Sequence, residues 1–115
     1  MTVYAALDVS MEKTTICVIN AEGKTVLEAS TSSDAEAIAM CLDPYCAELD
    51  QVGLEAGPLA EWIARGLGYH GMRVVLMETR HVRAALSAMI AKTDRNDARG
   101  MAQLDSSNYP SPNQR

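Results

Sequence analysis

The sequence predicts a single α/β domain built on a mixed five-stranded sheet, with an antiparallel three-strand meander at one edge and flanking helices. Three observations carry this. The first thirty residues hold three short apolar or β-branched runs separated by turn residues. Beyond residue 33 helical spacing alternates with two further apolar runs, which is the pattern of a partly parallel sheet. The chain is 115 residues long, 48% hydrophobic and 22% charged, an ordinary globular composition. A chain of this size buries roughly two thirds of its unfolded surface, enough for one core without disulfides or metals as staples.

The elements follow in order. Tyr4 to Val9 is an apolar run interrupted by Asp8. Ser10-Met11-Glu12-Lys13 then turns the chain into the β-branched run Thr14 to Ile19, and Asn20-Ala21-Glu22-Gly23 turns it into Thr25 to Ala29. Ser33-Asp34-Ala35-Glu36 has the form of a capping box, with Ser33 as the cap of a helix over about 34–42 whose Ile38, Cys41 and Leu42 face inward. Asp43-Pro44 interrupts that helix, and Pro44 suits the first position of a further turn. Gln51 to Glu55 is a fourth strand, parallel and buried. Gly57-Pro58 opens a helix over about 58–70, with Leu59, Trp62, Ile63 and Leu67 as its core stripe, His70 as a cation at its carboxyl end and Gly71 just past it. Val74 to Met77 is a fifth strand. Thr79 is a candidate cap for a helix carrying Val82, Ala85, Leu86, Met89 and Ile90 at helical spacing, and Thr93 for a last helix from Asp94 to about Leu104. Residues 105–115 are polar, carry two prolines and no periodicity, and are expected to be a disordered tail behind a domain spanning 1–104.

Composition narrows the function. No apolar run approaches the roughly 18 residues a membrane span needs, and the first ten residues lack a basic signal-peptide start, so a cytoplasmic protein with no membrane partner is expected. Cys17, Cys41 and Cys46 show no CxxC spacing, and with His70 and His81 they make no zinc pattern, so they read as reduced, packed thiols. The formal net charge is −5, unevenly spread. Residues 1–50 hold nine acids and two bases, residues 51–115 six acids and eight bases. Five of the bases, Arg80, Arg83, Lys92, Arg95 and Arg99, fall within 80–99. That stretch reads either as a solvated helix face or as a local phosphate-contact surface on an acidic chain. There is no Walker A sequence and no GxGxxG, and no histidine is placed to activate Ser10 as a nucleophile.

Four acids stand apart from the rest. Asp8 interrupts an apolar strand and Glu55 ends another, both at the carboxyl edge where α/β sheets place ligands. Asp94 and Asp97 lie three apart at a helix start and share a face. Each alone has an ordinary reading: Asp8 capping the turn at Ser10, Glu55 capping the helix after Gly57, and Asp94 and Asp97 as helix-surface acids. As a set they would repel one another without a cation between them, and oxygen donors at that charge density suit Mg²⁺ or Mn²⁺. Two such ions can activate water and stabilise the leaving oxygen in phosphodiester cleavage.

Ala6-Leu7-Asp8-Val9-Ser10 with Lys13, Leu54-Glu55-Ala56-Gly57 with Trp62, and Lys92-Thr93-Asp94-Arg95-Asn96-Asp97-Ala98 with Leu104 together resemble the N-terminal domain of the DEDD transposases, which comprise insertion-sequence family one-hundred-ten and the pilin-gene inverting recombinases. The resemblance covers residues 3–104, and the combination of the three strings is specific where each alone is weak. It implies a RuvC-like, ribonuclease-H-type fold. It also implies that Asp8, Glu55, Asp94 and Asp97 are the metal-binding catalytic tetrad, with Lys92, Arg95 and Arg99 beside them for phosphate contact. The implied activity is metal-dependent DNA strand cleavage and exchange in transposition or inversion, and in the insertion-sequence members a structured RNA encoded by the element guides target choice. Family members continue into a helical connection and a second domain with a nucleophilic serine. The chain is therefore expected to be an incomplete member, and the alternative reading is a catalytically inactive remnant that binds nucleic acid or forms a homo-oligomer. Sugar kinases and actin-like ATPases also begin with an aspartate-bearing strand and hairpin, but they need a glycine-rich phosphate turn where this chain has Ser10-Met11-Glu12-Lys13.

Overall fold

The computed structural model describes residues 1–102, with side chains described for residues 1–92. Three strands, β1 (Val3–Val9), β2 (Lys13–Asn20) and β3 (Thr25–Ser32), lead into helix α1 (Ala35–Leu42) and a single 3-10 turn at Asp43–Tyr45. Strand β4 (Leu49–Glu55), helix α2 (Pro58–Tyr69), strand β5 (Val74–Met77) and helix α3 (Val82–Ala102) complete the order. The sheet runs β3-β2-β1-β4-β5. β1 to β3 form the antiparallel meander, while β4 pairs parallel with both β1 and β5. This is the mixed sheet that the residue pattern and the family resemblance both implied.

Strand alternation divides the core between the two faces of the sheet. Val3, Ala5, Leu7, Ile16, Val18, Val52 and Leu54 face α1 and α2, where Ile38, Leu42, Ile63 and Leu67 meet them fully buried. Each fully buried Val, Leu or Ile side chain among them contributes about 1.5–3 kcal/mol by leaving water. On the other face Ala6, Cys17, Ile19 and Met77 pack under Val82, Leu86 and Ile90 of α3. A Cβ at Gly53 would stand 3.1 Å from Met77 Cε, close enough that this flexible side chain must give, and in ordinary contact at 3.5 Å with Val82 Cγ1 of α3.

Four local expectations are corrected. The cap of α1 is Asp34, not Ser33: the Asp34 carboxylate accepts from the Ala37 amide at 2.8 Å. Ser33 is occupied elsewhere, donating to the Ser10 carbonyl and sharing a 2.8 Å hydrogen bond with buried Thr14. Trp62 is not core but 53% exposed. The buried stripe of α2 is Ala60, Ile63 and Leu67, and Trp62 lies about 120° round the helix from its centre. Thr79 does not cap α3. Its hydroxyl accepts from the His81 amide at 3.0 Å, and the first helical bond of α3 runs from the Ala85 amide to the His81 carbonyl. Finally, the backbone runs as one helix from Val82 to Ala102, so the expected start at Thr93 falls inside α3. No proline or glycine interrupts residues 82–99, and one threonine costs a helix interior only a few tenths of a kcal/mol. The proposed tail, 105–115, lies outside the described residues.

Candidate functional site

The site starts from a register. β1 and β4 run parallel with Leu7 opposite Leu54, so Asp8 and Glu55 are the next residues on neighbouring strands. Asp8 follows Ala6 and Glu55 follows Gly53 on the face that α3 covers. Both carboxylates reach the carboxyl edge of the sheet, both are exposed, and both line one pocket of about 160 Å³. The pocket is completed by Gly57 to Ala60 at the start of α2 and by Arg80 and Val82.

The surrounding backbone is tied down. The Ala56 amide bonds to the Met77 carbonyl at 2.7 Å, fixing the chain just after Glu55 to the end of β5. The Ser10 amide and hydroxyl both bond to the Lys13 carbonyl, at 2.9 and 2.8 Å, closing the turn just after Asp8. Neither carboxylate takes part in these bonds. Asp8 does not cap the turn at Ser10, and the start of α2 has no side-chain cap, so Glu55 does not cap that helix. Among the described residues neither Asp8 nor Glu55 makes a hydrogen bond or an ion pair. The two ordinary readings of these acids are therefore removed by the structure. What remains is a pair of unengaged oxygen donors beside the first turn of α2, whose free amides favour negative charge.

Lys92 is exposed on α3. Asp94, Arg95, Asp97 and Arg99 lie outside the residues whose side chains are described. Among the described residues no group of three or more His, Cys, Asp or Glu side chains gathers at one point. Two carboxylates on adjacent strand ends are a partial donor set, and its all-oxygen chemistry fits a hard divalent cation that keeps waters in its remaining positions. The three cysteines are free thiols, with Cys17 buried and Cys46 exposed. No helix among the described residues is long and apolar enough to cross a membrane.

Sequence reasoning did not place Arg80 at the site. The signal was present, since Arg80 lies in the basic stretch and follows the end of the fifth strand by three residues. What was missing was the path of the chain, which returns α3 across β1 and brings that turn beside Asp8.

The family model of the DEDD transposases of the IS110 type, described as a transposase, matches residues 5–112. The curated proteins contain no match for this chain. Among solved structures, the catalytic core domain of BIV integrase is similar at 14% identity and a TM-score of 0.43, over 91% of this chain and 74% of that one. A putative N-acetylmannosamine kinase from Listeria monocytogenes is similar at 19% identity and a TM-score of 0.40, over 65% of this chain and about a third of the kinase, 34%.

Proposed function

Because this chain belongs to the DEDD transposase family of the IS110 type, we propose that it is a metal-dependent strand-processing domain acting on DNA phosphodiesters. The observation that supports this is the Asp8–Glu55 pair, two unengaged carboxylates at one level of adjacent parallel strands, facing one pocket. The family resemblance would add Asp94 and Asp97 to this pair, with Lys92, Arg95 and Arg99 as contacts to the DNA backbone. As one helix, however, α3 runs from Val82 at this pocket to Ile90 beside Tyr4 at the other end of β1, so its backbone carries positions 94–97 away from Asp8 and Glu55.

Asp8 and Glu55 would hold Mg²⁺ or Mn²⁺ through their carboxylate oxygens. When bound, such ions supply Lewis-acid stabilisation of charge on the phosphate and lower the pKa of a bound water. The protein's own contribution is positional. β1 and β4 fix the two carboxylates at one height, and the bonds at Ala56 and Ser10 fix the backbone on either side. The start of α2 closes one wall of the pocket and adds amide dipoles aimed toward negative charge. Such preorganisation is what makes electrostatic catalysis effective, because no reorientation is needed as charge develops.

The test is a thermal melt with and without Mn²⁺, paired with nicking of supercoiled DNA. The proposal expects Mn²⁺ to raise the melting temperature and to support nicking, and expects Asp8→Ala to remove both effects. An equal Mn²⁺ shift in the variant would take Asp8 out of the site.

A further inference from the structure

We propose that Arg80 and Arg83, together with the first turn of α3, form a seat for a DNA backbone phosphate next to the Asp8–Glu55 pocket. The inference rests on the reading of this domain as one that acts on DNA, and it names the part of the surface where the strand lies.

A second and larger pocket, about 340 Å³, adjoins the first and shares Asp8, Arg80 and Val82 with it. It is a groove between β2, which contributes Thr15 and Cys17, and the start of α3, which contributes Val82, Arg83 and Ala84. The two pockets differ in charge. The first presents two carboxylates and one guanidinium. The second presents Arg80 and Arg83 against a single carboxylate, Asp8. An anion is disfavoured in the first unless a cation occupies it, and favoured in the second without one.

Both arginines are placed rather than merely exposed. The turn carrying Arg80 is fixed by the hydrogen bond from the His81 amide to the Thr79 hydroxyl. Among the described residues the Arg80 guanidinium makes no hydrogen bond or ion pair, so its donors are available. Arg83 reaches from α3 to β3, where its Nη2 donates to Thr25 Oγ1 at 2.7 Å. That bond uses one of five guanidinium hydrogens and leaves the others without a partner among the described residues. Val82, Arg83 and Ala84, which line the same groove, carry the first-turn amides of α3, and these have no intrahelical acceptor. A guanidinium pair and a helix start converging on one groove match the oxygens of a phosphodiester. Arg80 borders both pockets, so a strand held in the groove continues directly past Asp8.

The experiment is fluorescence polarisation of a short labelled DNA duplex over a range of salt concentrations, with EDTA present so that metal plays no part. Arg80→Ala, Arg80→Ala/Arg83→Ala and the control Arg65→Ala on α2 are compared with the wild type, and circular dichroism confirms the fold of each. Arg80→Ala leaves the Arg83–Thr25 bond intact, so it separates phosphate contact from any change in stability. The proposal expects the double variant to bind roughly tenfold more weakly, and its log K against log salt slope to be shallower by about 2, with Arg65→Ala unchanged. Wild-type binding that survives unaltered in both arginine variants would overturn this seat and leave the DNA-processing reading in place. A wild type with no affinity for DNA at low salt would overturn both.

Discussion

Asp8 and Glu55 leave adjacent parallel strands one residue beyond the Leu7–Leu54 pair and line the same pocket, without a hydrogen bond or ion pair among the described residues. Buried leucines below and paired carboxylates above make this a junction between core and site. The register that seats Leu7 and Leu54 against α1 and α2 also sets the height of the acids. A one-residue slip would send both to the opposite face. Asp8→Asn and Glu55→Gln should therefore each leave the fold intact and each weaken Mn²⁺ binding by calorimetry. Loss in only one of the two would break the pairing.

Gly66 sets the distance between α1 and α2. A Cβ there would stand 2.3 Å from the Ala35 Cβ, against a neighbour that cannot swing away. Gly68, on the same helix, has nothing within 4 Å of the equivalent position. Gly→Ala within a helix gains roughly 0.5–1 kcal/mol from backbone entropy alone. Gly68→Ala should show that gain in urea denaturation, whereas Gly66→Ala should lose about 1–3 kcal/mol to overpacking. Equal effects at the two positions would contradict the close approach of the helices.

The outward rotation of Trp62 has a measurable consequence. Ile63 is fully buried and Trp62 is 53% exposed. Ile63→Ala should cost about 2–5 kcal/mol, and Trp62→Ala within about 1 kcal/mol. The indole should also be accessible to an aqueous fluorescence quencher, and an unquenched indole would place it in the core.

Asp34→Ala should cost about 0.5–2 kcal/mol through loss of the α1 cap. Ser33→Ala should act through another route, because Ser33 bonds buried Thr14 and the Ser10 carbonyl. Its effect should not add to that of Thr14→Val, since each variant breaks the same hydroxyl pair. Strict additivity would mean the two hydroxyls act independently.

The sheet was legible in the sequence because strand signals are local. β-branched runs such as Thr14 to Ile19 and the turns at Ser10 and Asn20 specify a meander whatever packs on it. Asp8 and Glu55 were legible because an acid at the end of an apolar strand breaks a short-range pattern. The errors fall where neighbouring residues compete for one role. Ser33 and Asp34 are both good caps, and only the prior claim of Thr14 and Ser10 on Ser33 decides between them. Trp62 and Ala60 both fit an apolar stripe, and only the packing of α2 against the sheet, which buries Ala60, Ile63 and Leu67, decides between them. The place of Arg80 depends on how α3 crosses the sheet, which no local spacing encodes.

Crystals of the protein soaked in Mn²⁺ and measured by anomalous diffraction would locate the ion. The expected peak lies in the pocket between β1 and α2, with carboxylate oxygens of both Asp8 and Glu55 directly coordinating it. Saturating Mn²⁺ with no anomalous density there, or a peak ligated by neither carboxylate, would contradict a metal site at this pair.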